Sequence, residues 1–295
     1  MAIKLGGGGG SASQVNETID INSAENLITL EDGRVYLKGG VSETDLTTYP
    51  DATTSFAYTG TSFSVANQDS NPSGIAWDGT HFWVVGASNL VHKYNASGVY
   101  QNVNFSVASQ GTSPMDIVWD GAYFWVINNA TSPYKRVSKY SAAGVYQNVF
   151  WEYNAVTTME GEGLAWDGTY FWVVGNSTDT IRKFNAAGVD QGVSYSVAAQ
   201  ETNPKGITFD GTYLWVVGTA SGKAHKYNTS GVYQNESFNL QSQDYNTQGI
   251  VSIGTAMWTV GKGTDSAYKY VPQLGVVSEA GTPLTEGKQN YVRIK

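Results

Sequence analysis

Between residues 55 and 275 apolar and polar positions follow one order, repeated five times. The first full unit, NPSGIAWDGTHFWVVGASNLVHKYNASGVYQNVNFSVASQ, opens on a short apolar run, Ile75-Ala76-Trp77, and breaks at Asp78-Gly79. It returns as an apolar run over 82–85, crosses a polar loop, alternates over 91–94, turns at Asn95-Ala96-Ser97-Gly98 and continues over 99–107. Short runs bounded by Gly, Asn and Asp read as strands, and Asp-Gly supplies the backbone angles of a tight hairpin. Each unit is therefore predicted to be a sheet of four antiparallel strands.

The same order surrounds Trp83, Trp125, Trp172, Trp215 and Trp258, spaced by 42, 47, 43 and 43 residues. A unit of this size cannot bury its own apolar face and must stack on its neighbours, which is the physics of a propeller or solenoid. The strand count decides between them. The fifth unit stops at Tyr268-Lys269-Tyr270 before Pro272, one outer strand short, while Phe56-Ala57-Tyr58 and Phe63-Ser64-Val65 match an outer strand with nothing in phase before them. An N-terminal strand that completes the last sheet closes the ring and removes its open edges. The predicted fold is an all-β five-bladed β-propeller of four-stranded antiparallel blades, with the recurring tryptophans wedged between blades.

Residues 1–50 obey another rule: a pentaglycine at residues 6–10, then NLITLEDGRVYLKGG, which reads as a hairpin turning at Asp32-Gly33, then an extended linker. Three regions are expected: an attachment or oligomerisation arm over 1–50, the propeller over 51–275, and an extension over 276–295 ending in a strand.

Composition narrows the partners. Charged residues make up 14% and the net charge is −8, without a Lys/Arg run, so neither nucleic acid nor a membrane surface is an expected partner. Zero Cys excludes disulfides and thiolate metal sites. The opening MAIKLGGGGGSASQ has glycines where a signal peptide carries about 7–15 apolar residues, which predicts no Sec-type export.

Candidate chemistry must break the repeat, since a residue that fills it already has a structural role. His81, His92 and His225 occupy positions that other units fill with Tyr, Ser or Arg, and the acids Asp78, Asp120, Asp167 and Asp210 precede Gly in the same turn. No catalytic motif stands apart from the repeats, so no catalytic residue, metal, cofactor or enzymatic activity is expected. The departures lie in two loop classes that this strand order places on one side of the ring. Unit two carries the longer loop NNATSPYKRVSKY, and the unit-to-unit connections supply Asn, Gln, Ser, Thr, Asp and Glu. The candidate ligand-binding residues are Asn129, Tyr134, Glu160, Glu162, Asp244 and Tyr245, polar groups and aromatic platforms suited to a polyhydroxyl ligand. Trp151 and Tyr153 fall at the positions of Phe105 and Val107 and are assigned to the core.

The phrases NPSGIAWDGTHFWVVG and NPKGITFDGTYLWVVG resemble the NHL-type propeller repeat over about three quarters of the chain. That family implies the propeller architecture but no single activity. It is usually six-bladed, and no catalytic assignment carries over. MAIKLGGGGGSASQ, RVYLKGG, TTYPDA and the ending EGKQNYVRIK resemble the terminal segments of tail-fibre and other appendage proteins of tailed bacteriophages. This resemblance implies a protein exposed on a virion, joined to other virion proteins through its N-terminal arm, homo-oligomeric as fibre trimers are, and recognising a host-surface glycan or protein. A decoration or cement protein, a polysaccharide-degrading enzyme and a cellular scaffold propeller are the alternatives.

Overall fold

The computed structural model of the protein describes residues 2–4, 18–20, 27–29, 35–37, 55–130, 135–153 and 159–273. Its contacts divide the chain into two units, one of residues 1–55 and 273–295 and one spanning Phe56–Pro272.

In the first unit β1 (Ala2–Lys4) pairs antiparallel with β2 (Thr18–Asp20), and β3 (Leu27–Thr29) with β4 (Val35–Leu37). The second pair is the hairpin expected around Asp32-Gly33, whose turn lies outside the described residues. The first pair, which brackets the pentaglycine in sequence, was not foreseen. The expected C-terminal strand lies outside the described residues.

The second unit is the five-bladed propeller. Blade 1 holds β6 (Pro72–Trp77), β7 (His81–Gly86), β8 (Leu90–Asn95) and β9 (Tyr100–Ser106). Blade 2 holds β10 (Pro114–Trp119), β11 (Tyr123–Asn129), β12 (Lys135–Ser141) and β13 (Tyr146–Glu152). Blade 3 holds β14 (Gly161–Trp166), β15 (Tyr170–Gly175), β16 (Thr180–Asn185) and β17 (Asp190–Ser196). Blade 4 holds β18 (Pro204–Phe209), β19 (Leu214–Gly218), β20 (Lys223–Tyr227) and β21 (Tyr233–Asn239). Blade 5 holds β22 (Thr247–Ile253), β23 (Ala256–Gly261) and β24 (Ser266–Gln273), and its outer strand is β5 (Ser55–Ser64) from the front of the chain, which closes the ring as expected.

Local chemistry explains the hairpins. In blade 1 Asp78 Oδ1 accepts from the amides of Thr80 and His81, and Oδ2 accepts from the Trp83 indole at 2.7 Å. The same indole bond recurs at Asp120–Trp125, Asp167–Trp172 and Asp210–Trp215. The turn acids thus also orient the tryptophans. Across the next strand a lysine lies over each of these rings, 5.1–5.3 Å from its centroid.

Each tryptophan then wedges against the following blade: Trp83 on Phe124 at 4.8 Å, Trp125 on Phe171 at 4.9 Å, and Trp258 on Phe82 at 4.8 Å across the closure. Trp172 and Trp215 pack in the corresponding clusters with Leu214 and Met257. Trp151 and Tyr153 are buried core residues, as expected.

The outer turns interlock in the same way. Gly98 has φ +77°, and a Cβ there would stand 2.2 Å from Phe63. Gly144, Gly188 and Gly231 meet Phe105, Trp151 and Tyr195 in the same manner. Blade 1 therefore grips the borrowed strand β5 as blades 2, 3 and 4 grip their predecessors.

Candidate functional site

The blade-to-blade connections and the loops between second and third strands emerge on one side of the ring, which we call the loop face. One backbone hydrogen bond sets its centre and repeats in every blade. The amides of Ala87, Asn129, Asn176, Thr219 and Lys262 donate to the carbonyls of Asn71, Ser113, Glu160, Asn203 and Asn246, at 2.9–3.2 Å.

Inside this circle all five inner strands carry a register shift at the same place, between Pro72 and Gly74, Pro114 and Asp116, Gly161 and Gly163, Pro204 and Gly206, and Thr247 and Gly249. The extra residues are Ser73, Met115, Glu162, Lys205 and Gln248. A β-bulge releases a residue from the ladder and re-aims its side chain, so these five positions form an inner ring.

Directly beneath the bulges the inner strands touch. A Cβ on Gly163 would lie 2.7 Å from the Lys205 carbonyl oxygen, and one on Gly74 would lie 2.5 Å from the Cα of Asp116. Four blades have Gly at this level and blade 2 has Asp116, 1% exposed. Its Oδ2 accepts from the Leu164 amide of blade 3 at 2.9 Å and its Oδ1 from the Ile117 amide at 2.8 Å. Burial raises the Asp116 pKa well above the usual aspartate value, opposed by the amides of Leu164, Ile117 and Ile75. One carboxyl group thus ties the inner strands of three blades at the floor of the site.

The polar groups above that floor are paired unevenly. Lys205 Nζ lies 3.1 Å from Glu162 Oε2, and both side chains are largely buried. Burial raises the Glu162 pKa, with the Lys205 and Lys262 ammonium groups opposing and Glu160 reinforcing the rise. Glu160 is exposed and pairs with Lys135 at 3.3 Å. Gln248 Nε2 donates to Asn246 Oδ1 at 2.6 Å, and Asn203 Nδ2 to Thr219 Oγ1 at 2.6 Å.

A second layer holds the loops that surround this centre. Asp69, Glu201 and Asp244, all buried, sit at equivalent points of three connections. Asp244 accepts from the amides of Asn246, Gly263 and Thr264 and from Thr264 Oγ1 at 2.7 Å. Glu201 accepts from the amides of Asn203, Ala220 and Ser221 and from Ser221 Oγ at 2.6 Å. Asp69 accepts from the amides of Asn71 and Ser88. The hydroxyls then meet a ring on the third strand: Ser88 with His92, Ser221 with His225, Thr264 with Tyr268. Burial holds both histidines below their usual pKa despite the nearby acids Asp69 and Glu201, which keeps them neutral partners in this bracing.

Where the connection carries an acid, the second strand ends in a glycine that makes room for it, Gly86, Gly218 or Gly261. Blade 2 exchanges the two: Gly111 lies against the side chain of Asn128, which caps the Ala130 amide instead. In blade 3 Met159 packs on Gly175.

Of the residues singled out from sequence, Asn129, Glu160 and Glu162 come together at the centre of the loop face. Asp244 is buried, its carboxylate taken up by Asn246 of its own connection and by Gly263 and Thr264 of the loop between β23 and β24, and Tyr245 beside it is 65% exposed. Tyr134 lies outside the described residues. Sequence reasoning missed Lys205, Lys262 and Gln248. Their signal was positional: Lys205 and Gln248 are the variable residue before the inner-strand glycine, and Lys262 follows the glycine that ends a second strand. Among the described residues no group of three or more His, Asp or Glu is placed to hold a metal ion, and no helix is long and apolar enough to cross a membrane.

No protein-family model matches the chain, and no curated protein matches it in sequence. Solved structures do. Glutaminyl cyclase of Myxococcus xanthus is similar with a TM-score of 0.59 at 9% identity, over 75% of this chain and 98% of that one. The PQQ-bound aldose sugar dehydrogenase of Streptomyces coelicolor has a TM-score of 0.53 at 11% identity, over 76% and 100%. Virginiamycin B lyase of Staphylococcus aureus is 16% identical over 88% and 85%, with a TM-score of 0.45. The first two likenesses, at such identities, carry the β-propeller architecture and nothing narrower. They do correct one expectation. The first two are enzymes, so this architecture carries catalysis, and the lack of a familiar catalytic motif in the repeats is no ground for excluding it.

Proposed function

We propose that the chain is a virion appendage protein of the tail-fibre kind whose propeller recognises a host-surface glycan at the centre of the loop face. The observation that carries the binding reading is the double ring fixed by five equivalent backbone bonds and five equivalent bulges, where all positions but Ala87 and Met115 carry amide, hydroxyl or charged side chains. Such preorganised polar groups suit the many hydroxyls of a sugar, because few rotamers are left to freeze on binding. The virion setting is supported by the resemblance of the terminal segments to those of phage appendage proteins.

Binding of the full chain to a glycan array, compared with the double variant Asn129→Ala/Asn176→Ala, tests the reading. A drop of tenfold or more in affinity is expected. Unchanged binding would move the site elsewhere, and an array without any bound glycan would refute the reading. Labelling of purified particles should place the chain at an exposed tip; burial against the particle body would favour the decoration role.

A second reading, turnover at the same centre, is favoured by one observation. Glu162, its pKa raised by burial against the opposing pull of Lys205, has the environment that suits a general acid. Shortened glycan chains after incubation, lost in Glu162→Gln, would establish it.

A further inference from the structure

Two lysines, Lys205 and Lys262, meet at the centre of the loop face, within the field of the buried carboxylates Glu162 and Asp69. Lys205 takes Glu162 at 3.1 Å, and Asp69 is taken up by the amides of Asn71 and Ser88. Lys262 is half-buried, and among the described residues its ammonium has no hydrogen-bond or ion-pair partner. Its pKa is lowered by burial and by the Lys205 ammonium, while Glu162 and Asp69 pull the other way.

The loop does not require a lysine. The backbone bond from Lys262 to Asn246 is the one that Ala87, Asn129, Asn176 and Thr219 make in the other blades, none of them charged. A partly desolvated cation without a counter-ion is unfavourable in the free protein. An arriving anion relieves that cost.

Counted with Asp69 the buried charges balance, two ammonium groups against two carboxylates, and Lys262 is the ammonium without a direct partner among the described residues. A monoanion matches this, whereas the carboxylate of Glu162 repels the second charge of a dianion such as a phosphate monoester. Asn129, Asn176 and Thr219 hold the position of Lys262 in their own blades; Asn129 Oδ1 accepts from Tyr153 and Thr219 Oγ1 from Asn203, which leaves the Asn129 amide protons and the Thr219 hydroxyl proton to donate to the uncharged part of the ligand.

We infer that the ligand is an acidic glycan, its sugar carboxylate held between Lys262 and Lys205 and its hydroxyls by the neighbouring asparagines and threonine. This deepens, and rests on, the glycan reading above.

The test is an array carrying oligogalacturonate, oligoguluronate, hyaluronate and polysialate, each beside its carboxyl-reduced counterpart, probed with the full chain at two salt concentrations. At least one acidic glycan is expected to bind tenfold or more tighter than its reduced form, about 1.4 kcal/mol, with an advantage that shrinks as salt rises. Lys262→Gln should remove that advantage and Lys262→Arg should keep it. Inorganic phosphate should compete no better than monomeric galacturonate.

Equal binding of acidic and reduced forms would overturn the charge assignment and leave the glycan reading standing. An advantage that survives Lys262→Gln, or stronger competition by phosphate, would overturn the carboxylate seat. Failure to bind any saccharide would overturn both readings together.

Discussion

Phe63 is the residue through which ring closure can be weighed. It sits on β5, the strand borrowed from the front of the chain, and its ring lies 5.2 Å from Phe82, 5.5 Å from Tyr94 and 5.7 Å from Trp258. Gly98 presses on it from the first blade. Phe63→Ala removes a buried ring at the seam between blades 5 and 1, where neighbours on both sides are held by their own sheets and cannot collapse inwards. The cost expected for such a truncation is about 3–5 kcal/mol. With a urea m-value of about 2–3 kcal/mol/M for a body of this size, the unfolding midpoint falls by about 1–2.5 M. Tryptophan fluorescence and far-UV circular dichroism should report one coincident transition, since a ring has no free end from which to fray. Phe105→Ala, at the matching place on β9, gives the cost of the same contact where the outer strand is continuous with its blade. A loss below about 1 kcal/mol for Phe63→Ala, with Phe105→Ala at full cost, would refute the idea that the borrowed strand is an integral part of the ring.

Three further outcomes follow from the same geometry. Gly98→Ala should cost about 1–3 kcal/mol in urea unfolding, because its Cβ meets Phe63 and its φ of +77° disfavours any other residue. Asp78→Asn should cost about 1–2 kcal/mol at neutral pH, since the amide cannot reproduce both the turn bonds and the indole bond of Trp83. Burial works to raise the Asp78 pKa, but the bonds from Trp83, His81 and Thr80 outweigh it and hold the group below the usual carboxylate range, so this difference is present above that range and disappears as the pH falls through the lowered value. Asp116 has the opposite sign: its raised pKa makes the folded form bind the proton more tightly, so the wild type should lose stability as the pH rises from the ordinary aspartate range through the raised value, and urea midpoints of Asp116→Asn should lack that slope.

The fold was legible because its grammar is local. Alternating apolar residues, Asp-Gly turns and the recurring tryptophan are read within a dozen residues of each other, and the unpaired strand around Phe56 and Phe63 gave the closure by counting. The loop-face centre was legible only in part. Asn129, Glu160 and Glu162 stood out as departures in loops, whereas Lys205 and Gln248 look like ordinary strand residues until the bulge turns them out of the ladder. Asp244 shows the converse. A loop acid reads as available for a ligand, but the fold brings three amides and a hydroxyl to it, most of them from the loop between β23 and β24, and only the pairing of such acids with Gly86, Gly218 and Gly261 hinted at this in the sequence. The exclusion of catalysis stood on too narrow a ground, since a search for known motifs cannot detect chemistry assembled from single residues on separate strands, and enzymes share this architecture.

The shared position of the five bulges has a consequence for how such a protein can change. Ser73, Met115, Glu162, Lys205 and Gln248 occupy symmetry-related seats, and the same bulge forms around five different side chains. Ser73 also braces the Val85 and Pro114 carbonyls, but replacing Gln248, or Glu162 and Lys205 as a pair, alters what the centre offers to an approaching molecule while the strand frame stays. A lineage built on this plan can therefore redirect its attention to a new target by editing a handful of codons, with Glu162 and Lys205 changing together because they are paired.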